Sequence, residues 1–220
     1  MKKYKHILKN REDAARKLTE VIPMQRLKDE SWKMVAVSTG GLELAYMLRR
    51  KLPNTLDILF SESIMAPNND ECEISRVSER EEIVSNEQLV DAFEIKYDYI
   101  YGEAKRKYEE KILSCIYKYR KGRPFASMKG KIVLLIDEGS ETGMKLMTAL
   151  KTILAMKPKA VYIAIPVIPS DTLDMLEQYA DDIFFLHNID DYVETNLYYE
   201  ELEKVEEEKL EKYLGAKNEI

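Results

Sequence analysis

Histidine and cysteine are scarce: the chain has only His6 and His187, and only Cys72 and Cys115. Two histidines exclude a histidine-rich metal site. Neither sits in the nucleophile context that a Ser/His/Asp triad requires. The cysteines lie far apart and form no CxxC arrangement, which points to a reducing compartment rather than a disulfide framework. No apolar run reaches the roughly 20 residues of a membrane span. The basic N-terminus, MKKYKHILKNRED, lacks the apolar core of a secretion signal. A cytoplasmic protein with no membrane partner is expected. Positive charge is also in deficit. A net charge of −6 argues against nucleic acid as a partner, because phosphate neutralisation needs a basic face.

What is present is an ordinary globular composition, 45% hydrophobic and 34% charged over 220 residues, enough for one domain spanning 1–220 with a full core. Short apolar runs recur at 34–39 (MVAVST), 55–60 (TLDILF), 131–137 (KIVLLID), 160–168 (AVYIAIPVI) and 182–186 (DIFFL). Continuous rather than alternating hydrophobicity predicts strands buried on both faces, as in a parallel sheet. Helical patterns lie between them. Leu44, Met47, Leu48 and Leu52 share one stripe, as do Leu146, Met147, Leu150, Ile153 and Leu154, with Pro158 closing the latter segment. Ser170 and Asp171 are expected to cap the helix TLDMLEQYA. The alternation predicts an α/β fold: a Rossmann-like parallel sheet of about five strands flanked by helices.

Two regions break the rhythm. Residues 61–90 read as a loop and short strands, a hairpin lid, and 91–121 as a long amphipathic helix. Its expected stripe is Tyr97, Tyr101, Ala104, Tyr108, Ile112, Cys115 and Tyr119, with the tyrosines as packing and rim residues. From 196 to 220 the chain reads as a charged helix with i,i+4 Glu/Lys pairs and a thin apolar seam.

The stretch LLIDEGSETGMKL, residues 134–146, carries the chemistry. In open α/β sheets, ligands sit beyond the carboxyl ends of the strands. There the third core strand delivers Asp137 and Glu138, followed by the turn Gly139-Ser140-Glu141-Thr142-Gly143. Backbone N–H groups at such a turn, with a helix dipole behind them, form an anion nest. Two acids beside a phosphate make sense if they accept from hydroxyls attached to it, as in a ribose 5-phosphate. The same pattern also reads as a plain strand–turn–helix with exposed acids. A G-x-G-x-x-G dinucleotide fingerprint is not supplied by STGGLELA.

VLLIDEGSETG resembles the signature of the type I phosphoribosyltransferases: apolar residues, two acids, a short loop, then Thr-Gly. NREDAARKLTEVI resembles that family's opening helix, and VAVSTGGLELA its pyrophosphate loop, normally Arg-Gly-Gly. LDILFSESIMAPNNDE, YRKGRPFASMKGK, AIPVIPSDTLDML and the Tyr-rich acidic tail NLYYEELEKVEEEKL resemble further family segments in the right order. The tail matches one bacterial subgroup.

The resemblance implies that Asp137 and Glu138 grip ribose, while Gly139, Ser140, Thr142 and Gly143 hold its 5-phosphate. Thr39, Gly40 and Gly41 would bind pyrophosphate, and Mg²⁺ would ride on that pyrophosphate, with no metal ligands from the protein. Glu141 is either a general base towards the acceptor or a surface glutamate. About 4 Å from a phosphate it would cost a few kcal/mol at an effective dielectric near 20, so it should point away. The family arginine is missing, since Ser38-Thr39-Gly40-Gly41 stands where the family has Arg-Gly-Gly, and Glu62 has the wrong sign for a pyrophosphate neighbour. Arg76 adds a nearby cation. Lys118, Arg120, Lys121 and Arg123 are either compensating cations, with Arg120 and Arg123 on the pyrophosphate, or a solvated helix end. The implied partners are phosphoribosyl pyrophosphate or a nucleotide, a small-molecule base, and a second copy in a homodimer paired through helices. Two functions follow: transfer of ribose 5-phosphate to a purine or pyrimidine base, or a degenerate relative that senses such ligands without turnover.

Overall fold

A computed structural model of the chain describes residues 6–50 and 52–215. Helix α1 (Arg11–Val21) begins where Asn10 accepts from the Asp13 N–H at 3.1 Å, and α2 (Met24–Asp29) follows Pro23. The chain then alternates: β1 (Lys33–Ala36), α3 (Thr39–Arg49) and β2 (Leu56–Ile58). A departure comes next, with β3 (Ser61–Ala66), β4 (Asn69–Ser78), β5 (Ile83–Ser85), α4 (Glu87–Ala92), α5 (Tyr97–Lys107) and α6 (Leu113–Arg120). The alternation resumes in β6 (Ile132–Ile136), α7 (Met144–Ala155), β7 (Ala160–Pro169), α8 (Ser170–Glu177) and β8 (Asp182–Ile189). A 3₁₀ turn at Thr195–Tyr198 leads to α9 (Glu207–Gly215).

The expected five-stranded parallel sheet is present, in the order β2-β1-β6-β7-β8. Its central strands are buried on both faces, which is why their sequences run without polar alternation. On β1 and β6, Met34, Ala36, Leu134 and Ile136 pack towards α1, α3 and the C-terminal segment. Val35, Val133 and Leu135 pack towards the opposite layer with Leu146, Leu150 and Ile153 of α7. Strand order reverses between β1 and β6, so the loops leaving these two strands diverge and open a crevice between them.

Residues 61–85 form a separate antiparallel sheet, β3-β4-β5, that stands over this crevice. The segment expected as loop is therefore strand from Ser61. Its apolar face, Ile64, Ile74 and Val77, is covered by Ile100, Ala104, Ile112 and Ile116. Of the expected stripe, Ala104 and Ile112 belong to this set and Tyr108 packs against it, while its first two tyrosines do not. Tyr97 and Tyr101 are exposed, and a π-helical turn at Tyr108–Ile112 between α5 and α6 shifts the register by one residue. The expected caps on α8 are also corrected. The helix starts at Ser170, whose hydroxyl meets Asn188 and Asp190, while Asp171 accepts only from its neighbour, the Thr172 N–H. Among the described residues of 196–220, helix is confined to Thr195–Tyr198 and α9; residues 216–220 of that expected helix lie outside the described residues.

Candidate functional site

Strand β6 ends at Ile136 and hands Asp137 and Glu138 to the crevice. Asp137 is 1% exposed. Its Oδ1 accepts from the Ser38 hydroxyl and from the Glu138 N–H, the latter at 2.9 Å, whereas its buried Oδ2 has no partner among the described residues. A buried carboxylate oxygen left unpaired is costly, and Asp137 is among the residues lining a cleft of about 600 Å³. The arrangement fits a hydroxyl donor arriving from outside.

The turn after the acids is built to keep its amides open. Gly143 sits at φ +71°, a left-handed conformation that favours glycine, and the chain enters α7 without a side-chain cap. The Gly143 N–H donates to Ser140 Oγ at 3.1 Å and the Met144 N–H to Thr142 Oγ1 at 3.4 Å. Both hydroxyls are thus committed as acceptors inside the turn. Among the described residues, the N–H groups of Gly139, Ser140, Glu141 and Thr142 donate to nothing. All four residues line the cleft. With the positive end of α7 behind them they make an anion nest.

Glu138 is oriented from elsewhere in the chain. Its Oε2 takes the Arg11 Nε–H at 2.5 Å, and its carboxylate rests on Gly40, where any Cβ would overlap it. Arg11 Nη1 also reaches Glu43 Oε2 at 3.1 Å and the Glu203 carbonyl at 2.8 Å; Glu43 in turn accepts from the Tyr213 hydroxyl. One guanidinium therefore ties α1, α3, the site loop and the C-terminal segment together. Burial raises the Glu138 pKa above its ordinary value, partly offset by Arg11. Glu138 Oε1 takes no hydrogen bond among the described residues, and Glu138 is one of the residues lining the cleft.

The C-terminal segment closes the far wall. Thr195 and Tyr192 pack on Gly139 so closely that a Cβ there would collide with both. The Tyr199 hydroxyl donates to the Glu138 carbonyl at 2.7 Å. Burial drives the Tyr192 and Tyr199 pKa values upward, so both hydroxyls stay protonated donors. Glu141 turns towards this segment, its Oε1 accepting from the Thr195 N–H and hydroxyl at 3.3 Å each. That geometry keeps its charge off the nest, as the electrostatic argument requires. The remaining wall comes from the three-stranded sheet, through Met65, Cys72, Glu73 and Arg76.

The pyrophosphate-loop residues are nearby but only partly free. Thr39 opens α3, and the Gly41 N–H is spent on the N-cap Ser38 Oγ at 2.9 Å. Gly41 therefore has no amide to offer, because Ser38 caps the helix. The basic cluster is a clearer correction. Arg120 is buried, paired with Glu79 and flanked by the rings of Phe60 and Phe125. Burial raises the Glu79 pKa against the pull of Arg120. Lys118 pairs with Glu207, Lys121 is the exposed left-handed cap of α6, and Arg123 bonds the Arg120 carbonyl. None of the four lines the crevice cavities. Arg11, Lys145, Thr195 and Tyr199 carried no local sequence signal, because their partners lie tens of residues away or, for Lys145, because only the fold turns it to the cleft.

No protein-family model matches the chain. The Mycobacterium tuberculosis (strain CDC 1551 / Oshkosh) protein named "Putative phosphoribosyl transferase MT0597" is 26% identical over 180 residues, 80% of this chain and 39% of its own length. Its counterpart in strain H37Rv, Rv0571c, aligns with the same figures. The chain thus spans well under half the length of the curated relatives it matches. The crystal structure of TT1426 from Thermus thermophilus superposes with a TM-score of 0.77 at 26% identity, over 96% of this chain and 98% of that one. A crevice at the β1/β6 reversal, an acid pair leading into an open amide nest, and relatives named as phosphoribosyl transferases together support assignment of the chain to the type I phosphoribosyltransferases.

Proposed function

We propose that the protein transfers ribose 5-phosphate from phosphoribosyl pyrophosphate to the nitrogen of a small heterocyclic base. One observation carries the reading: the four residues with unspent amides, Gly139 to Thr142, line one cleft with Asp137, whose buried Oδ2 has no partner among the described residues. The amides hold the 5-phosphate, and Asp137 Oδ2 and Glu138 Oε1 accept from the two ribose hydroxyls. In the transfer, the C1′–O bond breaks and its electron pair leaves with pyrophosphate. The C1′–N bond forms, and the nitrogen's proton passes to Glu141, steadied by Thr195. Mg²⁺ enters as part of the pyrophosphate substrate. It suits a cleft lined by Glu71, Glu73, Glu141 and Glu194 as well as the acid pair, because the dication offsets negative charge on both sides. The test is pyrophosphate release with Mg²⁺ and adenine, guanine, hypoxanthine, xanthine, uracil or orotate. Turnover with at least one is expected; a folded protein inert with all of them refutes transfer.

A second reading is favoured by the spent Gly41 amide and the serine at position 38. Loss of one transition-state donor typically costs about 2.7–4 kcal/mol, so the site would retain phosphoribosyl ligands without turning them over. Saturable binding of ribose 5-phosphate with no pyrophosphate released would select it.

A further inference from the structure

The crevice holds two chambers. The first, about 600 Å³, contains the amide nest and the acid pair. The second, about 320 Å³, lies over the start of α3, lined by Ser38, Thr39, Phe60, Glu62 and Tyr119 and closed by Leu210 and Leu214 of α9. Arg76 and Lys145 line both, and among the described residues they are the only basic side chains lining either.

The neighbouring cations Arg11, Arg120 and Lys118 line neither chamber and pair elsewhere. Arg11 serves Glu138 and Glu43, Arg120 serves Glu79, and Lys118 serves Glu207. Arg76, on β4, is only partly engaged: its Nε meets Glu73 at 2.8 Å and its Nη1 the Ser61 hydroxyl at 3.2 Å, while Nη2 has no partner among the described residues. Lys145 projects from the first turn of α7, half-buried, with no hydrogen bond or close ion pair among the described residues, though its charge is felt by Glu138. A ligand anchored by a phosphate monoester in the nest, with its sugar on Asp137, directs its other end towards the second chamber. An anion arriving there meets Glu62 and lacks the Gly41 amide, so it needs cations at the junction.

We propose that Arg76 and Lys145 bind the second anionic group of the ligand, the pyrophosphate, from opposite walls of the junction between the chambers. They would replace both the arginine missing ahead of Gly40-Gly41 and the cluster at 118–123. The inference rests on the phosphoribosyl reading above and adds two residues to it. Arg76 from the overlying sheet and Lys145 from the sheet-layer helix would also draw the two halves of the crevice together when the anion is seated.

Calorimetric titration with phosphoribosyl pyrophosphate plus Mg²⁺ and, separately, with ribose 5-phosphate tests it. R76M and K145M are each expected to weaken the pyrophosphorylated ligand about tenfold or more, the scale of a lost charged hydrogen bond. Ribose 5-phosphate should change less than about threefold in the same variants, and R76K should recover most of the loss. K145M removes no bond seen in the folded protein, so it carries the test should R76M fold poorly. Equal losses for both ligands, or no loss for either, overturn the proposal. A wild-type protein that binds ribose 5-phosphate but not the pyrophosphorylated ligand overturns it while leaving the amide nest in place. Binding of neither ligand removes the phosphoribosyl reading itself, and this inference with it.

Discussion

Replacing Arg11 by methionine removes the cation shared by Glu138 and Glu43, leaving two largely buried carboxylates without their common partner. Removing one member of a buried ion pair costs about 3–5 kcal/mol, because the remaining charge is stranded out of water. Glu138 keeps some exposure and Glu43 keeps the Tyr213 hydroxyl, so the lower end, about 3 kcal/mol, is expected. For a chain of this size that corresponds to a fall in Tm of roughly 6–12 °C. The sign with pH is fixed by burial. Glu138 already has a raised pKa in the folded protein, so its neutral form favours folding below the ordinary carboxylate value, and that gain is lost as pH rises through the raised value. Without Arg11 the folded value rises further. The deficit of R11M relative to wild type should therefore be largest at neutral pH and shrink on acidification. Urea unfolding of both proteins at pH 7 and pH 5 measures this directly, and R11M/E138Q should recover at least about 1 kcal/mol of the loss. A deficit below about 1 kcal/mol, or one equally large at both pH values and unrelieved by E138Q, refutes the account of Arg11 as the residue that orients the acid.

The turn makes its own prediction. G143A places a Cβ at φ +71° and within 2.8 Å of Met175 Cε and 2.9 Å of Thr172 Cγ2; a loss of about 1–3 kcal/mol and weaker ribose 5-phosphate binding are expected by thermal melting and titration. At the protein's edge, the Lys17 bond holds the Asp13 carboxyl down at about 2. Its contribution is therefore present above the ordinary carboxylate value and lost as pH falls towards 2. Solvent screening keeps it below about 1 kcal/mol, so D13N should trail wild type in melting temperature at pH 7 and converge with it in acid. Among acceptor bases, the carboxylates lining the first chamber should disfavour an anionic one. Orotate should show the lowest kcat/KM of the six bases, and an orotate rate above that of adenine contradicts the placement of those acids.

The alternation of apolar runs and helical stripes determined the parallel α/β sheet, since strands buried on both faces admit only continuous hydrophobicity and helices facing them admit only one apolar stripe. The acid pair and its small-residue turn were legible for the same reason: one contiguous stretch, Asp137 to Gly143, contains the strand end, the acids and the glycine whose positive φ shapes the nest. The register of the long helix was not legible, because a π turn costs one residue without any Gly or Pro to mark it. Cations were the least legible of all. Four basic residues in a row of six positions looked like an anion site, yet folding turned Arg120 inward to Glu79 and spread the others outward. Arg11, 127 residues from Glu138, became the acid's partner, and Arg76 and Lys145, from different layers, met at one junction. Backbone geometry is local and written in adjacent residues; which charge faces which is decided by packing across the chain, and only the tertiary structure carries that information.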